Sequence, residues 1–408
     1  MATIAAASRN PGGALVLLLG AAVFLNYVDR GAIGIAAPLM KSELGLSEEA
    51  YGLAFSAFFW IYAPMQLALG WLMDRWCVYR LLAFGVALWA AATMLTSLVS
   101  GLAMLVGLRL LLGLGESFTF PAANKIIARH VPAERRGIAN SAVGMGIAFG
   151  PAAGIFAGGL IVAHFGWRPM FAIFGAVTLL WLAPWLLVAR TLPSFAAAGR
   201  ETPVPVGRVM RNRAPWAMAF VHFSATYGHY FVLTWLPLFL VQSRGLSIVT
   251  MTYIATLGFM AQGSSALLMG WTSDLWTRSG RNEAAFRRWS MILCQLLVAC
   301  AVVVLMNAED PAQLTLWIVI TCAAGAGSGV HNYAVGQMFA GPRATGSFMG
   351  IQNGFGNLSG IVGPIATGMI IDATGSYVNA FILTAAIAVA GAAGWALLVP
   401  DIRQIAVD

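Results

Sequence analysis

Charge is what this sequence has least of. Only 9% of its 408 residues are Asp, Glu, Lys or Arg, and 15 are acidic. Soluble domains carry about 25% charged residues, so an ordinary water-soluble protein is excluded. Cysteine is also sparse: Cys77, Cys294, Cys300 and Cys322 are scattered with neither metal-ligand spacing nor a disulfide framework, and read as small packing residues. Absent too are Gly-x-Gly-x-x-Gly, Gly-x-Ser-x-Gly and His-Glu-x-x-His, and no polar stretch is long enough to fold as a separate soluble domain. These absences argue against an enzyme or a membrane-embedded sensor. No cofactor or metal is expected.

What the chain has instead is apolar length, with 60% hydrophobic residues and a mean hydropathy of +0.80. The apolar runs are long and the loops short, so the spans are helices; a transmembrane barrel would show alternating segments of about 10 residues. The expected fold is an all-α integral membrane protein with twelve transmembrane helices, near 13–38, 50–72, 81–99, 102–126, 137–163, 167–189, 214–241, 249–271, 288–306, 313–339, 346–371 and 376–399. The first twelve residues lack the pattern of a removable signal peptide, so the first span is read as permanent.

Basic residues set the expected orientation. Of the 23 Lys and Arg, Arg30 and Arg109 fall inside spans and Lys41, Arg168 and Arg244 in outer loops; all others lie in segments that share one side with the amino terminus. Basic loops stay in the cytoplasm, so both termini are expected there, in an inner (plasma) membrane of bacterial type. The net charge of +8 is then this bias plus contact with anionic lipid, not a nucleic-acid footprint.

The chain reads as a duplication. Gly70-Trp71-x-x-Asp74 recurs as Gly270-Trp271-x-x-Asp274, and Gly137, Gly154, Gly159 and Gly166 correspond at one constant offset to Gly346, Gly363, Gly368 and Gly375. Two six-helix bundles, residues 1–189 and 214–408, are therefore expected around a central cavity, joined by a Pro- and Arg-rich linker over 190–213. Glycines crowd the fifth and eleventh spans and allow close helix packing, while Pro151 and Pro364 can bend those helices.

Against this apolar background four charges stand out: Asp29 and Arg30 in the first span, and Arg109 and Glu116 in the fourth. An ionisable group at bilayer depth costs at least ~2.5–3.5 kcal/mol, so it is expected to face a polar cavity and a partner. Arg109 and Glu116 are two turns apart on one helix face, roughly 10 Å along the axis. The expected pairs are Asp29 with Arg30 and Glu116 with Arg109. The plain alternative is that both pairs only tie helices together. An arginine fork suits a substrate carboxylate, which makes Arg30 the candidate anion ligand. On this reading a carboxylate that takes Arg30 deprives Asp29 of its partner and links anion binding to proton binding.

The second half offers neutral contacts. Tyr227 and Tyr230 share a face of the seventh span, with His222 and His229 nearby; His331, Asn332 and Tyr333 lie in the tenth; Asn353 and Asn357 lie four apart in the eleventh. Each can bind substrate or simply pack. Tyr227, Tyr230, Asn332 and Asn353 are the preferred substrate contacts.

Several motifs resemble the major facilitator superfamily across essentially the whole chain. Gly70-Trp-Leu-Met-Asp74-Arg75 with Arg80 looks like its signature between the second and third helices, although Trp76-Cys77-Val78-Tyr79 replace the expected glycine and basic residues. The chain is further similar to the anion:cation symporter family, through Asn26-Tyr27-Val28-Asp29-Arg30, Gly113-Leu-Gly-Glu116 to Pro121-Ala-Ala-Asn-Lys125, Pro132-Ala-Glu134-Arg135, Phe165-Gly-Trp167-Arg168 and Thr234-Trp235-Leu-Pro237. That family includes bacterial hexuronate, galactonate and glucarate transporters and animal sialin.

The resemblance implies proton-driven uptake of an organic anion, with Asp29 and Glu116 as protonation sites and Arg30 as substrate ligand. Tyr27 and Tyr62 would contact substrate, Arg109 would hold Glu116 or adjust its pKa, and Asp74, Arg75, Arg80 and Asp274 would form the inner gate. Val143, Gly144 and Met145 stand where sugar-acid carriers often place a glutamine. The implied partners are a small organic anion, protons and membrane lipid, with no nucleic acid and a monomeric carrier. A competing reading is an antiporter, suggested by the Gly150-Pro151 to Gly154 run; two cavity arginines argue against its cationic-drug form.

Overall fold

The computed structural model describes residues 11–132, 135–192 and 204–405. In chain order the helices are α1 (Pro11–Arg30), α2 (Ala32–Leu44), α3 (Glu48–Arg75), α4 (Val78–Thr96), α5 (Leu102–Ser117), α6 (Thr119–His130), α7 (Arg136–Phe165), α8 (Trp167–Leu180) and α9 (Leu182–Ala189). There follow the short α10 (Val206–Val209), then α11 (Arg213–Leu238) with one π-helical turn (Phe239–Ser243), α12 (Ile248–Arg278), α13 (Glu283–Asn307), α14 (Pro311–Gly356), α15 (Ser359–Thr374) and α16 (Val378–Leu397).

These elements make twelve transmembrane helices. Nine stretches among the described residues are long and apolar enough to cross a bilayer. The other three spans are α3, α11 and α12, of 28, 26 and 31 residues, longer than the roughly 20 a bilayer needs. They are also the helices that bring Tyr62, His229 and Gln262 to the interior cavity. Large apolar side chains such as Leu17, Leu180, Leu187 and Leu397 face outward, as a lipid-facing surface requires. Exposed Trp76, Trp271 and Trp289 ring the end at which α3 and α12 finish and α13 starts, the level at which interfacial tryptophans gather. That end also receives Arg75, Arg80, Arg278 and Arg281 and is called the basic end below.

Four spans are interrupted. The first breaks at Gly31, the fourth at Phe118, the sixth at Trp181 and the eleventh at Asn357–Leu358, whereas α7 runs unbroken through Pro151. Pro151 and Pro364, which can bend their helices, both lie inside continuous helices, α7 and α15. The tenth and eleventh spans, expected to be separated by a loop, are joined through Gly341, whose φ of +59° reverses the chain in one residue.

Within the first half, α7 lies against α1. A Cβ at Gly146 would come 2.8 Å from the Phe24 amide nitrogen, so glycine is what lets these backbones touch. The linker splits in two. Residues 193–203 lie outside the described residues, while Val204 bonds to the backbone of Arg343 and accepts from Ser347 Oγ, which docks the segment ahead of α11 on the second half.

The halves meet at the end opposite the basic one. The Asp372 carboxylate, near the end of α15, accepts from the amides of Glu48 and Glu49 at 3.1 and 2.8 Å and so caps the first turn of α3. Tyr51 donates to the Thr234 carbonyl at 3.2 Å and its ring stands edge-on to Trp235 at 5.3 Å. Gly52 fits only because it has no side chain: a methyl there would collide with the Pro364 carbonyl. This far end is therefore closed, and the space between the halves extends toward the basic end.

Candidate functional site

Between the halves lies a cavity of about 480 Å³, within the ~300–1,000 Å³ range of small-molecule sites. Its first-half wall is built by Tyr27 and Arg30 of α1, Tyr62 of α3, and α7 from Ser141 to Pro151. The second half contributes α11, α12, the first leg of α14, and Asn357 at the break before α15.

Asp29 and Arg30 close α1, and adjacent helical residues diverge by about 100°. They accordingly face different surroundings and do not pair. Arg30 turns to the cavity, where Nη2 and Nε donate to one oxygen of Glu116 at 2.8 and 3.2 Å, and Nη2 also to Asn26 Oδ1 at 3.2 Å. The rings of Tyr27, Tyr62 and Phe58 stand 4.8, 4.9 and 5.2 Å from the guanidinium carbon. An arginine so enclosed keeps a fixed plane, with cation–π attraction adding to the ion pair.

Asp29, 3% exposed, turns instead into the first bundle. Its Oδ2 accepts from Trp89 Nε1 of α4 at 3.0 Å and Thr178 Oγ1 of α8 at 3.1 Å. Arg109 does not hold Glu116 either: its Nη2 donates to the Phe55 carbonyl at 3.4 Å and its guanidinium lies over the rings of Phe55 and Phe58, both at 5.2 Å. The seven-residue offset from Arg109 to Glu116 leaves them on one face but two turns apart, and Arg30 takes the place beside Glu116. The two expected pairs are thus replaced by one, Arg30 with Glu116. Both acids keep an oxygen, Asp29 Oδ1 and Glu116 Oε1, with no hydrogen-bond donor among the described residues.

The facing wall is neutral. Tyr230 donates to Asn357 Oδ1 at 2.7 Å, and Gln262 Nε2 meets His229 Nδ1 at 3.2 Å. Asn332 is fully buried against the cavity, and neither its Oδ1 nor its Nδ2 has a partner among the described residues. Of the residues singled out in the sequence, Tyr27, Arg30, Tyr62, His222, His229, Tyr230, Asn332 and Tyr333 line the cavity. Tyr227 and Asn353 do not: Tyr227 packs in the bundle interior against Gly363, and the cavity residue of the eleventh span is Asn357, to which Asn353 lends only its carbonyl. Asn357, at the break between α14 and α15, and not the preferred Asn353, is thus the eleventh-span asparagine that lines the cavity in this conformation.

Gln262 is a cavity residue that sequence reasoning missed, although it supplies from α12 the kind of amide expected on the fifth span. Trp89 and Thr178 were also missed, and no spacing marks them out. Asn26 carried a usable signal, being one turn before Arg30 on the same helix face. Of the gate residues, the Asp74 side chain lies outside the described residues, and Arg75, Arg80 and Asp274 are exposed at the basic end. Lys125 donates to the Met73 carbonyl at 2.6 Å and so satisfies the end of α3.

Comparison with known proteins agrees with this architecture. Residues 19–283 match the family model described as Major Facilitator Superfamily. The chain is 30% identical to the probable galactarate/D-glucarate transporter of Escherichia coli (strain K12), over 96% of this chain and 94% of that one. It is 28% identical to the hexuronate transporter of Bacillus subtilis (strain 168), over 92% of each. A solved bacterial homolog of the human lysosomal transporter Spinster, in an inward-facing and occupied conformation, superposes with a TM-score of 0.82 at 18% identity, covering 96% of this chain and 97% of that one. The family model spans well over half of the chain and the relatives nearly all of it, so the protein is a membrane transporter belonging to the major facilitator superfamily.

Proposed function

We propose that the protein is a proton-coupled symporter that imports an organic anion, a sugar acid such as a hexuronate or aldonate, by alternating access. The observation that carries this reading is that Arg30, on the cavity wall, is paired with Glu116 buried behind it. A substrate carboxylate needs the arginine fork that Glu116 occupies. Protonation of Glu116 frees that fork, so proton and anion bind together, and each strengthens the other by the same factor. Glu116 Oε1, without a donor, is where the proton adds. Asp29, held off the cavity by Trp89 and Thr178, is a second proton site that opening of the other face would reach.

The relatives support a sugar-acid class: one is named a hexuronate transporter, its substrate a monoacid like the proposed cargo, and one a galactarate/D-glucarate transporter, its named substrates diacids. The basic end is assigned to the cytoplasm, which places both termini there and makes this conformation open to the inside of a plasma membrane. The carrier works as a monomer in lipid, its two halves, residues 1–189 and 214–408, together enclosing one site. Galactonate binding to the purified protein should tighten roughly tenfold from pH 7.5 to pH 5.5, and Glu116→Gln should bind equally at both. Binding by the wild type that ignores pH would defeat the coupling.

A further inference from the structure

Size does not select among organic acids here, because about 480 Å³ holds either a six-carbon monoacid or the matching diacid. Charge does. Among the described residues, Arg30 is the only permanently charged side chain on the cavity wall. Arg109 cannot serve as a second cation: it is 4% exposed, off the wall, and spread over the Phe55 and Phe58 rings. Arg287 is already engaged by Glu283 at 2.7 Å and by His331, likewise off the wall. The opposite wall is amide, hydroxyl and imidazole. Gln262 Nε2 and His229 Nδ1 lie 3.2 Å apart and engage each other across it. The rest of the lining includes the apolar Met145, Ile147 and Pro151 of α7 and Ala266 and Leu267 of α12, which carry no side-chain donor.

We infer that the site accepts one carboxylate and rejects a second: its substrates are monocarboxylates, and the dicarboxylates of the same carbon skeleton are excluded. This rests on the organic-anion reading above and sharpens it. With Glu116 carrying the proton, Arg30 and one carboxylate leave the site neutral. A second carboxylate would lie against Asn332, Tyr230 or the apolar lining, desolvated and without a cation, and an unpaired buried charge is far costlier than an unpaired hydroxyl. Hydroxyls, by contrast, fit the neutral wall, where both polar atoms of Asn332 await partners.

The test compares matched acids by calorimetric titration of the full chain at pH 7.5. D-galactonate and galactarate differ only at C6, hydroxymethyl against carboxylate. D-glucarate and its 1,4-lactone differ in whether one carboxylate is masked, and hexanoate and adipate repeat the comparison without hydroxyls. Galactonate should bind at least tenfold tighter than galactarate, and the lactone tighter than glucarate. Equal or tighter binding of the diacids in whichever pair binds overturns the inference. If only hexanoate binds, the charge rule stands and the sugar-acid assignment falls. If none of the six binds, the organic-anion reading fails and takes the inference with it.

Discussion

Arg30 holds two relationships at once, an ion pair with Glu116 and an aromatic enclosure by Tyr27, Phe58 and Tyr62. Lysine can keep the charge but not the flat fork, so Arg30→Lys should lose anion binding by about two orders of magnitude and Arg30→Ala should abolish it. Titration calorimetry with galactonate reads both. Removal of Thr178 Oγ1 leaves Asp29 with Trp89 as its one donor, so Thr178→Val should alter the pH dependence of transport while leaving galactonate affinity at fixed pH nearly unchanged; a loss of affinity as large as that of Arg30→Lys would place Asp29 in the binding site. The four charges themselves were legible because nothing else charged is buried near them in so apolar a sequence. Their pairing was not. Neighbouring helical positions point apart, and the partner Arg30 finds is 86 residues away on a different helix. Asn353 and Asn357 were both legible as candidates, but their spacing alone does not tell which one lines the cavity.

At the level of elements, the far end is held by a helix cap shared between halves. Asp372 satisfies two orphan amides of α3 and sits at the positive end of its dipole, an arrangement worth about 1 kcal/mol. Asp372→Ala should therefore shift the population toward an open far end roughly fivefold, visible as longer spin-label distances between positions 46 and 375. A distance distribution identical to the wild type would show that Tyr51, Trp235 and Gly52 hold the end closed without the cap. The crowding of glycine was readable from sequence, and Gly52 confirms its use in close approach between halves. The breaks were not readable. Pro151 is accommodated inside α7, whereas Gly31 and the Asn357–Leu358 step interrupt spans because the surrounding bundle supplies packing and hydrogen bonds that local propensity does not register.

For the molecule as a whole, composition and periodicity were sufficient to give twelve helices, and the repeated Gly-Trp-x-x-Asp gave their duplication. The cavity's position follows from that symmetry, but its state does not: closure at one end depends on contacts between helices more than 180 residues apart, such as Tyr51 with Thr234. On the mechanism proposed above, a carrier closed at the far end and open to the basic end would release cargo there, a proton leaving Glu116 restoring the pair with Arg30 and ejecting the anion. The most direct measurement is uptake of labelled galactonate into proteoliposomes under an imposed proton gradient, for the wild type and Glu116→Gln. The account requires the wild type to concentrate galactonate on the alkaline side above its equilibrium level, while Glu116→Gln exchanges galactonate without concentrating it. Accumulation on the acidic side, or equal accumulation by Glu116→Gln, would contradict it.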